Sequence, residues 1–204
     1  MSSSPLGTTL GSYYTNRMPL DIGVGLLLGL LVDVLFNTQD AQTVAVVGAL
    51  MCLAPDLDFI IQRLLPVHRR RMEHHRELLH IPLIYVPVGA AIGWLVAPHW
   101  AVLFVLASLA HFVHDSIGIG WGVPWLYPFR CDSYSFFYHI ENANGKPTLP
   151  RRRLYVWRRQ ELSKLAATYG DEHWVRNIYG RLHPYAIIEF VVLVVGLVVF
   201  AAVA

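Results

Sequence analysis

The apolar residues of this chain are concentrated in five long runs that alternate with polar stretches. Each run has about the 20 residues that an α-helix needs to cross the hydrocarbon core of a bilayer. Pro55 and two aspartates weaken the second run, so we expect its membrane-crossing part to stop near Leu53. The pattern therefore predicts helices at residues 18–36, 41–61, 79–97, 100–119 and 184–204.

Composition favours a membrane location for these helices. The 204 residues are 55% hydrophobic and only 15% charged, with a mean hydropathy of +0.44, whereas soluble domains are about a quarter charged. A soluble bundle around a buried core is the alternative. The two cysteines are too few for a disulfide framework. We expect an all-α integral membrane protein with about five transmembrane helices.

The sixteen Lys and Arg residues indicate an orientation. All of them precede the first run, lie between the second and third, or lie between the fourth and fifth. Cytoplasmic loops of membrane proteins carry an excess of Lys and Arg. The distribution therefore predicts a protein of the plasma (inner) membrane, with its N-terminus and both basic loops in the cytoplasm and its C-terminus outside.

The same pattern divides the chain into four sections. These are a disordered Ser/Gly/Thr-rich lead, a membrane-embedded unit, a cytoplasmic basic section and a C-terminal transmembrane helix, at 1–17, 18–130, 131–183 and 184–204. Within the basic section, residues 136–140 predict a short strand or interfacial segment. Residues 151–169 predict a basic amphipathic helix on the anionic leaflet. Anionic phospholipid headgroups, as substrate or as surface, are the expected partner, and no nucleic acid is expected.

Residues able to bind metals cluster at the ends of the predicted helices. His111 and Asp115 are four apart at the end of the fourth run, so they share one helix face and can approach the same ion. His114, one turn from His111, is a further imidazole at that end. Taken alone, the pair is equally well explained as a polar helix end hydrogen-bonded to water.

Asp56 and Asp58 end the second run. Proline disfavours helix in the preceding residue and is favoured at the first position of a new helix, so we expect the chain to break at Ala54 and restart. Both carboxylates then lie in a first turn, where negative charge is favourable. Helix capping explains one aspartate, but two of them beside Leu57 and Phe59 indicate a further role.

The predicted topology brings these groups to one level of the membrane. His75 and His80 lie at the start of the third run and Asp21 begins the first, so four helix ends at the cytoplasmic face carry acids or histidines. Mixed imidazole and carboxylate ligands suit a divalent ion, with Zn as first choice and Mn or Fe as alternatives, and they allow one or two ions. The candidate ligands are Asp21, Asp56, Asp58, His75, His80, His111 and Asp115.

A site of this kind indicates hydrolysis. A divalent metal activates a bound water and polarises a phosphoryl or carbonyl oxygen. We expect Asp58, His111 and Asp115 to take part in catalysis. Arg76 is the expected contact for an anionic part of the substrate, with the arginines of 69–71 and 151–153 as alternatives.

The same residues form a series of motifs. They are Ala54-Pro55-Asp56-Leu57-Asp58, His75-Arg76-Glu77-Leu78-Leu79-His80, Ser108 with His111 through Asp115, and Gly122-Val123-Pro124-Trp125-Leu126-Tyr127-Pro128. In order and spacing over residues 18–130, this series resembles the YdjM-like family of membrane-bound proteins described as metal-dependent hydrolases. The resemblance implies metal-ligand roles for Asp56, Asp58, His75, His80, His111 and Asp115.

The sequence departs from the family pattern in three places. Glu77-Leu78-Leu79 replaces the family's Gly-x-Thr, and Ile81 replaces a serine. Asp21 stands where family members often carry a histidine. An aspartate still serves as a ligand, so this departure bears on the choice of metal and on the activity.

Three classes of function fit these features. The first is a membrane hydrolase acting on a phosphoester or another ester of a lipid or membrane-proximal substrate. The second is a scaffold whose metal is structural, and the third is a transporter of a metal ion or proton. Transport predicts polar residues along the bilayer midplane, and the third and fifth runs supply almost none. We interpret Glu189, near the start of the fifth run, as reaching the membrane interface.

Overall fold

The computed structural model describes residues 18–58, 79–118, 120–137, 149–171 and 173–203. Within these ranges the chain forms seven α-helices and one two-stranded sheet. The helices are α1 Met18–Phe36, α2 Ala41–Leu53, α3 Pro82–Val96, α4 Pro98–Asp115, α5 Leu162–Tyr169, α6 Trp174–Ile178 and α7 Pro184–Val203. The strands are β1 Ser133–Phe136 and β2 Leu154–Trp157. The predicted lead at 1–17 lies outside the described residues.

Five of these helices coincide with the five apolar runs, which confirms a mostly helical fold. Helices α1 and α7 are long and apolar enough to cross a membrane, whereas Ala41–Leu57 and Pro82–Val96 are apolar but shorter. A count of five crossings therefore stays a prediction. The helix starts follow local chemistry, since the Asp40 carboxylate accepts from the amide of Thr43 to cap α2, and proline opens α3 and α4.

Helix α1 lies at the centre of the bundle, packed against α2, α4 and α7. Its backbone approaches α2 very closely at Gly25, where an added Cβ would lie 2.4 Å from the Cα of Ala49. Such small-residue contacts let apolar helices pack in a membrane. Leu26 and Leu30 are buried beside this contact. The start of α1 and the end of α4 are thereby held next to each other.

The end of α2 near Leu53 agrees with the prediction, but the expected break at Ala54 is wrong, because Ala54 keeps helical backbone angles of φ −60° and ψ −35°. Helix α2 ends at Leu53, and a tighter 3-10 turn follows at Ala54–Leu57, with Pro55 in its first positions. This change of winding alters the direction of the side chains that follow. Asp56 and Asp58 consequently face different parts of the same region.

The small sheet is attached to the end of α4. Strand β1 pairs antiparallel with β2, with Tyr134 opposite Val156. The amide of Phe136 donates to the carbonyl of Ser116 at 2.6 Å, directly after α4. This hydrogen bond places the sheet beside the residues at the end of α4.

Strand β2 corrects the prediction of one amphipathic helix over 151–169. Leu154 to Trp157 form a strand whose residues alternate between exposed and buried. Two aromatic side chains and one β-branched side chain with that alternation favour a strand over a helix. Only the second half of the predicted helix forms, as the 3-10 turn Arg159–Glu161 and α5. Of the segment predicted at 136–140, Phe136 ends β1, and 138–140 lie outside the described residues.

Candidate metal centre

Four side chains from three parts of the fold converge at one point. They are Asp56 from the 3-10 turn, His80 from the residues just before α3, and His111 and Asp115 from α4. One ligand atom from each lies within 4.8 Å of the others. His111 and Asp115 share a face of α4 because they are one helical turn apart. The 3-10 turn after α2 brings Asp56 to that face, and the residues just before α3 bring His80 there.

The spacing of the four atoms fits one metal ion. Nε2 of His80 lies 3.3 Å from Nε2 of His111 and 3.2 Å from Oδ2 of Asp115, and the latter two atoms are 3.6 Å apart. Oδ1 of Asp56 is 3.7 and 3.8 Å from the two imidazole nitrogens. Metal–ligand bonds of about 2.0–2.2 Å in a tetrahedral site put neighbouring ligand atoms roughly 3.3–3.6 Å apart. A divalent ion therefore fits between these side chains.

The cluster is buried on all sides but one. His80 and His111 are fully buried and Asp115 nearly so. The Asp56 side chain keeps 13% of its surface exposed, against 6% or less for the other three. Asp56 also makes the longest contacts in the cluster. Solvent therefore reaches the site most easily from the side of Asp56.

A carboxylate lies behind each imidazole. Oδ2 of Asp58 is 3.0 Å from Nδ1 of His80, and both Asp58 oxygens accept from the amide of Leu79 at 2.8 Å. An ionised carboxylate only accepts hydrogen bonds, so Nδ1 of His80 carries the proton and Nε2 presents a lone pair. This carboxylate–imidazole arrangement orients many histidines that bind metals.

Asp21 stands in the same relation to His111. Its Oδ2 lies 3.3 Å from Nδ1 of His111. Among the described residues, Nδ1 of His111 has no partner in hydrogen-bond geometry. The contact is therefore weaker than that between Asp58 and His80, and it depends more strongly on where the Asp21 carboxylate is held.

The structure brings four of the seven predicted ligands together. Asp21 and Asp58, which the sequence also predicted as ligands, lie against the far nitrogens of the two rings instead of among the four converging atoms. Two aspartates separated by one residue point apart in a 3-10 turn, and this separates Asp58 from Asp56. His75 and Arg76 lie outside the described residues.

Sequence reasoning missed a second set of contacts next to this centre. Nδ1 of His114 lies 3.2 Å from Oδ1 of Asp21, and its Nε2 lies 3.2 Å from Oε1 of Glu189. The Tyr179 hydroxyl donates to Oε2 of Glu189 at 2.6 Å. The interpretation of Glu189 as reaching the membrane interface is wrong. It is 1% exposed because α7 packs on α1 with this side chain turned inward.

A signal for Glu189 was present in the sequence. It is the only charged residue in an otherwise apolar helix of 20 residues. An ionisable group at such a position is costly and generally faces the interior of a bundle, where it finds a partner. Its partner His114 belongs to the helix that supplies His111 and Asp115, and only the folded arrangement of α4 and α7 reveals the pairing.

Carboxylates outnumber imidazoles in this buried region. Asp21, Asp56, Asp58, Asp115 and Glu189 accompany His80, His111 and His114. Burying charge is expensive unless opposite charge lies close by. A divalent cation at the centre of the four converging atoms offsets part of this negative charge, so the electrostatics agree with the geometry.

The apolar helices and the buried cluster of acids and histidines define a membrane protein with a candidate metal-binding site. The family model of the YdjM inner membrane protein matches residues 21–203, and the chain belongs to this family. The match extends well beyond residue 130, where the motifs recognised in the sequence end, and it includes α7 and Glu189. No curated protein and no solved structure matches the chain.

Proposed function

We propose that this protein is a membrane-bound, metal-dependent hydrolase. The observation that supports this proposal most strongly is the spacing of Asp56, His80, His111 and Asp115, with a carboxylate behind each imidazole. Zn is the metal these ligands suit best, with Mn or Fe as alternatives. The four converging atoms have room for one ion, and a second ion would require ligands beyond these four side chains.

The greater exposure of Asp56 favours a catalytic site over a closed structural one. His80, His111 and Asp115 form a tight set with separations of 3.2 to 3.6 Å, while Asp56 is 3.7 to 3.8 Å from the imidazoles. Two histidines and one carboxylate are a common ligand set of catalytic zinc, with the fourth position open to water. Here the open fourth position lies beside Asp56, on the solvent-accessible side.

Each residue has a distinct role in this proposal. When bound, a divalent ion makes water nucleophilic at neutral pH and polarises the oxygen of the substrate. His80, His111 and Asp115 hold the ion, while Asp58 and Asp21 orient the two rings. The carboxylate of Asp56 is placed to accept a proton from an incoming water. Asp58 thus assists catalysis through His80.

The substrate we propose is a phosphoester, or another ester, of a lipid or a membrane-proximal molecule. The sheet that is hydrogen-bonded to the end of α4 supports this choice. Arg151, Arg152 and Arg153 precede β2, Arg158 and Arg159 follow it, and all five are exposed. Basic residues beside a transmembrane helix attract the anionic cytoplasmic leaflet, at about 1 kcal/mol for each Lys or Arg. This is consistent with cytoplasmic basic loops and an external C-terminus.

A membrane scaffold with a structural metal is the second candidate. Four protein ligands around one zinc ion are typical of structural sites, and three of the four side chains here are almost completely buried. In that case Asp56 is a permanent ligand, and removing it weakens metal binding as strongly as removing a histidine.

The Asp56→Asn variant separates the two functions. The full-length protein in lipid nanodiscs is loaded with zinc and assayed on phosphodiester and phospholipid substrates. For a hydrolase we expect at least a hundredfold loss of turnover in Asp56→Asn with zinc retained, from the loss of a general base. The His80→Ala variant is expected to lose both its turnover and its bound zinc. His99→Ala, at the far end of α4, serves as the control. Zinc binding without turnover of any ester by the wild type would support the scaffold instead.

A further inference from the structure

We propose that Glu189 of the C-terminal helix is a positioning residue of the metal centre, acting through His114 and Asp21 on His111. The inference rests on the metal centre of the proposed function but does not depend on hydrolysis. It links α7, which contributes none of the four converging atoms, to the geometry of a ligand on α4.

The contacts form an unbroken series across three helices. From His111 the series runs 3.3 Å to Asp21, then 3.2 Å to His114, then 3.2 Å to Glu189. Tyr179 holds the last carboxylate at 2.6 Å. The first four of these residues are at most 5% exposed. Bulk water therefore does not replace any of these contacts when one is lost.

Asp21 is the point through which the effect passes. Its Oδ2 faces His111 and its Oδ1 faces His114, and the Cys52 thiol donates to Oδ1 at 3.7 Å. Because the two oxygens belong to one rigid plane, a shift of His114 rotates the oxygen that orients His111. The contact between Asp21 and His111 is longer than the one between Asp58 and His80, so it is the weaker of the two and is lost more easily when the carboxylate rotates.

Glu189 is placed to hold His114 from the other side. Both of its oxygens are engaged, Oε1 with Nε2 of His114 and Oε2 with the Tyr179 hydroxyl. The ring of His114 also stacks on Tyr185, with ring centres 6.2 Å apart. Glu189 therefore holds the His114 ring at its edge, and Tyr185 packs against its face.

The depth of α7 in the bundle is set by a glycine contact two turns from Glu189. A Cβ added to Gly196 would lie 2.7 Å from the carbonyl oxygen of Gly23, and one added to Gly23 would lie 2.6 Å from that of Val192. Residues 189 and 196 lie on one face of the helix because they are seven apart. The close approach of α1 and α7 therefore delivers Glu189 to the level of Asp21 and His114.

Packing alone does not account for an acid at this position. The neighbouring residues of α7 are apolar, and the glycine contact already joins the helix to α1. A buried carboxylate is costly in an apolar helix. Glu189 contacts His114, which directly precedes Asp115 in the chain. In this proposal the buried acid is present, despite its cost, because it helps to position the metal centre.

Metal affinity and cobalt spectroscopy of Glu189 variants test this proposal. Full-length wild type, Glu189→Ala, Glu189→Gln and Tyr179→Phe are stripped of metal, and zinc affinity is measured by chelator competition. The visible spectrum of the cobalt-loaded protein reports the geometry of its ligands. Ile188→Ala, on the lipid-facing side of α7 and 61% exposed, is the matched control. Thermal unfolding of the metal-free proteins monitors folding separately.

We expect zinc affinity to fall about tenfold in Glu189→Ala, at the lower end of the range for outer partners of metal ligands, with a changed cobalt spectrum. Glu189→Gln, whose amide oxygen still accepts from His114, is expected to recover most of the affinity. Tyr179→Phe is expected to lose about threefold, which supplies the test if Glu189→Ala does not fold.

Two results would overturn the proposal while leaving the hydrolase intact. One is wild-type affinity and an unchanged cobalt spectrum in folded Glu189→Ala, or in Tyr179→Phe if the alanine variant does not fold. The other is an equal loss in Ile188→Ala, because that would make the effect a general one of α7. Failure of the wild type to bind zinc or cobalt would remove the metal centre itself, and the proposed function with it.

Discussion

Asp58 and His80 form the shortest contact between side chains in the metal centre. The carboxylate lies 3.0 Å from Nδ1 and accepts twice from the amide of Leu79. It determines both which nitrogen of His80 carries a proton and where the ring points. Asp58 therefore gives a sharper test of ring orientation than any of the four converging groups, since its removal leaves all four in place.

We expect Asp58→Asn to weaken zinc binding by about 10- to 100-fold, the usual cost of losing an outer carboxylate partner. The amide group has nearly the shape of the carboxylate, so the fold is expected to remain. Chelator competition on the purified protein measures the effect, and Asp33→Asn, on α1 but outside the polar cluster, is the control. An affinity equal to that of the wild type would mean that Asp58 does not orient His80.

The packing of α1 against α2 is the element-scale feature on which the site depends. An added Cβ at Gly25 would lie 2.4 Å from the Cα of Ala49 and 2.6 Å from the carbonyl oxygen of Gly48. Both neighbours are backbone atoms, so they move only if the helices separate. Helix α1 also supplies Asp21, and separation of the helices shifts this carboxylate relative to His111.

Gly25→Val is accordingly expected to lower the free energy of unfolding by about 1–3 kcal/mol, a typical cost of overpacking, and to weaken zinc binding as well. Leu31→Val, on the same helix but 47% exposed, is expected to do neither. Thermal unfolding in detergent and chelator competition provide the two measurements. If Gly25→Val unfolded at the same temperature as the wild type, α1 and α2 would be less closely packed at Gly25 and Ala49 than the structure indicates.

Strand β2 carries the surface on which we propose that the protein contacts anionic lipid. Leu154 and Val156 are each 48% exposed on one side of the strand, with arginines before and after it. We expect an environment-sensitive dye at Val156→Cys, in a Cys131→Ser background, to shift to the blue in anionic nanodiscs and much less in neutral ones. The same dye at Thr168→Cys, exposed on α5, is the control. Equal spectra in both lipids would mean that the sheet does not contact the membrane surface.

At the scale of the whole molecule, the orientation of the chain is a prediction from the basic residues alone. The sixteen Lys and Arg residues fall on one side of five predicted crossings. We expect a reporter fused to the N-terminus to be active only in the cytoplasm and one fused after α7 to be active only outside. If both reporters were active on the same side, the number of crossings would have to be even. The basic section or the site would then lie on the opposite side of the membrane from the one predicted.

The sequence predicts the helices of this fold well because their cause is local. Length and apolarity determine α1 and α7, and Pro55 alone ends α2. The four converging groups were also predictable without tertiary detail. His111 and Asp115 are one helical turn apart, and all four groups lie at helix ends that the predicted topology places at one level. Strand β2 was not, because a basic segment with aromatic residues suits both a surface helix and a strand until its pairing with β1 is known.

The division of labour within the site required the folded structure. Asp56 and Asp58 are equivalent by residue type, and only the 3-10 turn places one at the ion position and the other behind His80. Glu189 lies 75 residues from His114 along the chain. The packing of α7 on α1 determines that contact, and no spacing rule within one helix reveals it.

Metal content is the measurement that tests the central claim most directly. The protein is purified in detergent, and its zinc, manganese and iron are quantified by elemental mass spectrometry beside His111→Ala and the control His99→Ala. Four ligand atoms around one position predict about one equivalent of metal in the wild type and in His99→Ala, and almost none in His111→Ala. Absence of metal from the wild type, even after incubation with zinc or manganese, would contradict the metal centre and the hydrolase together.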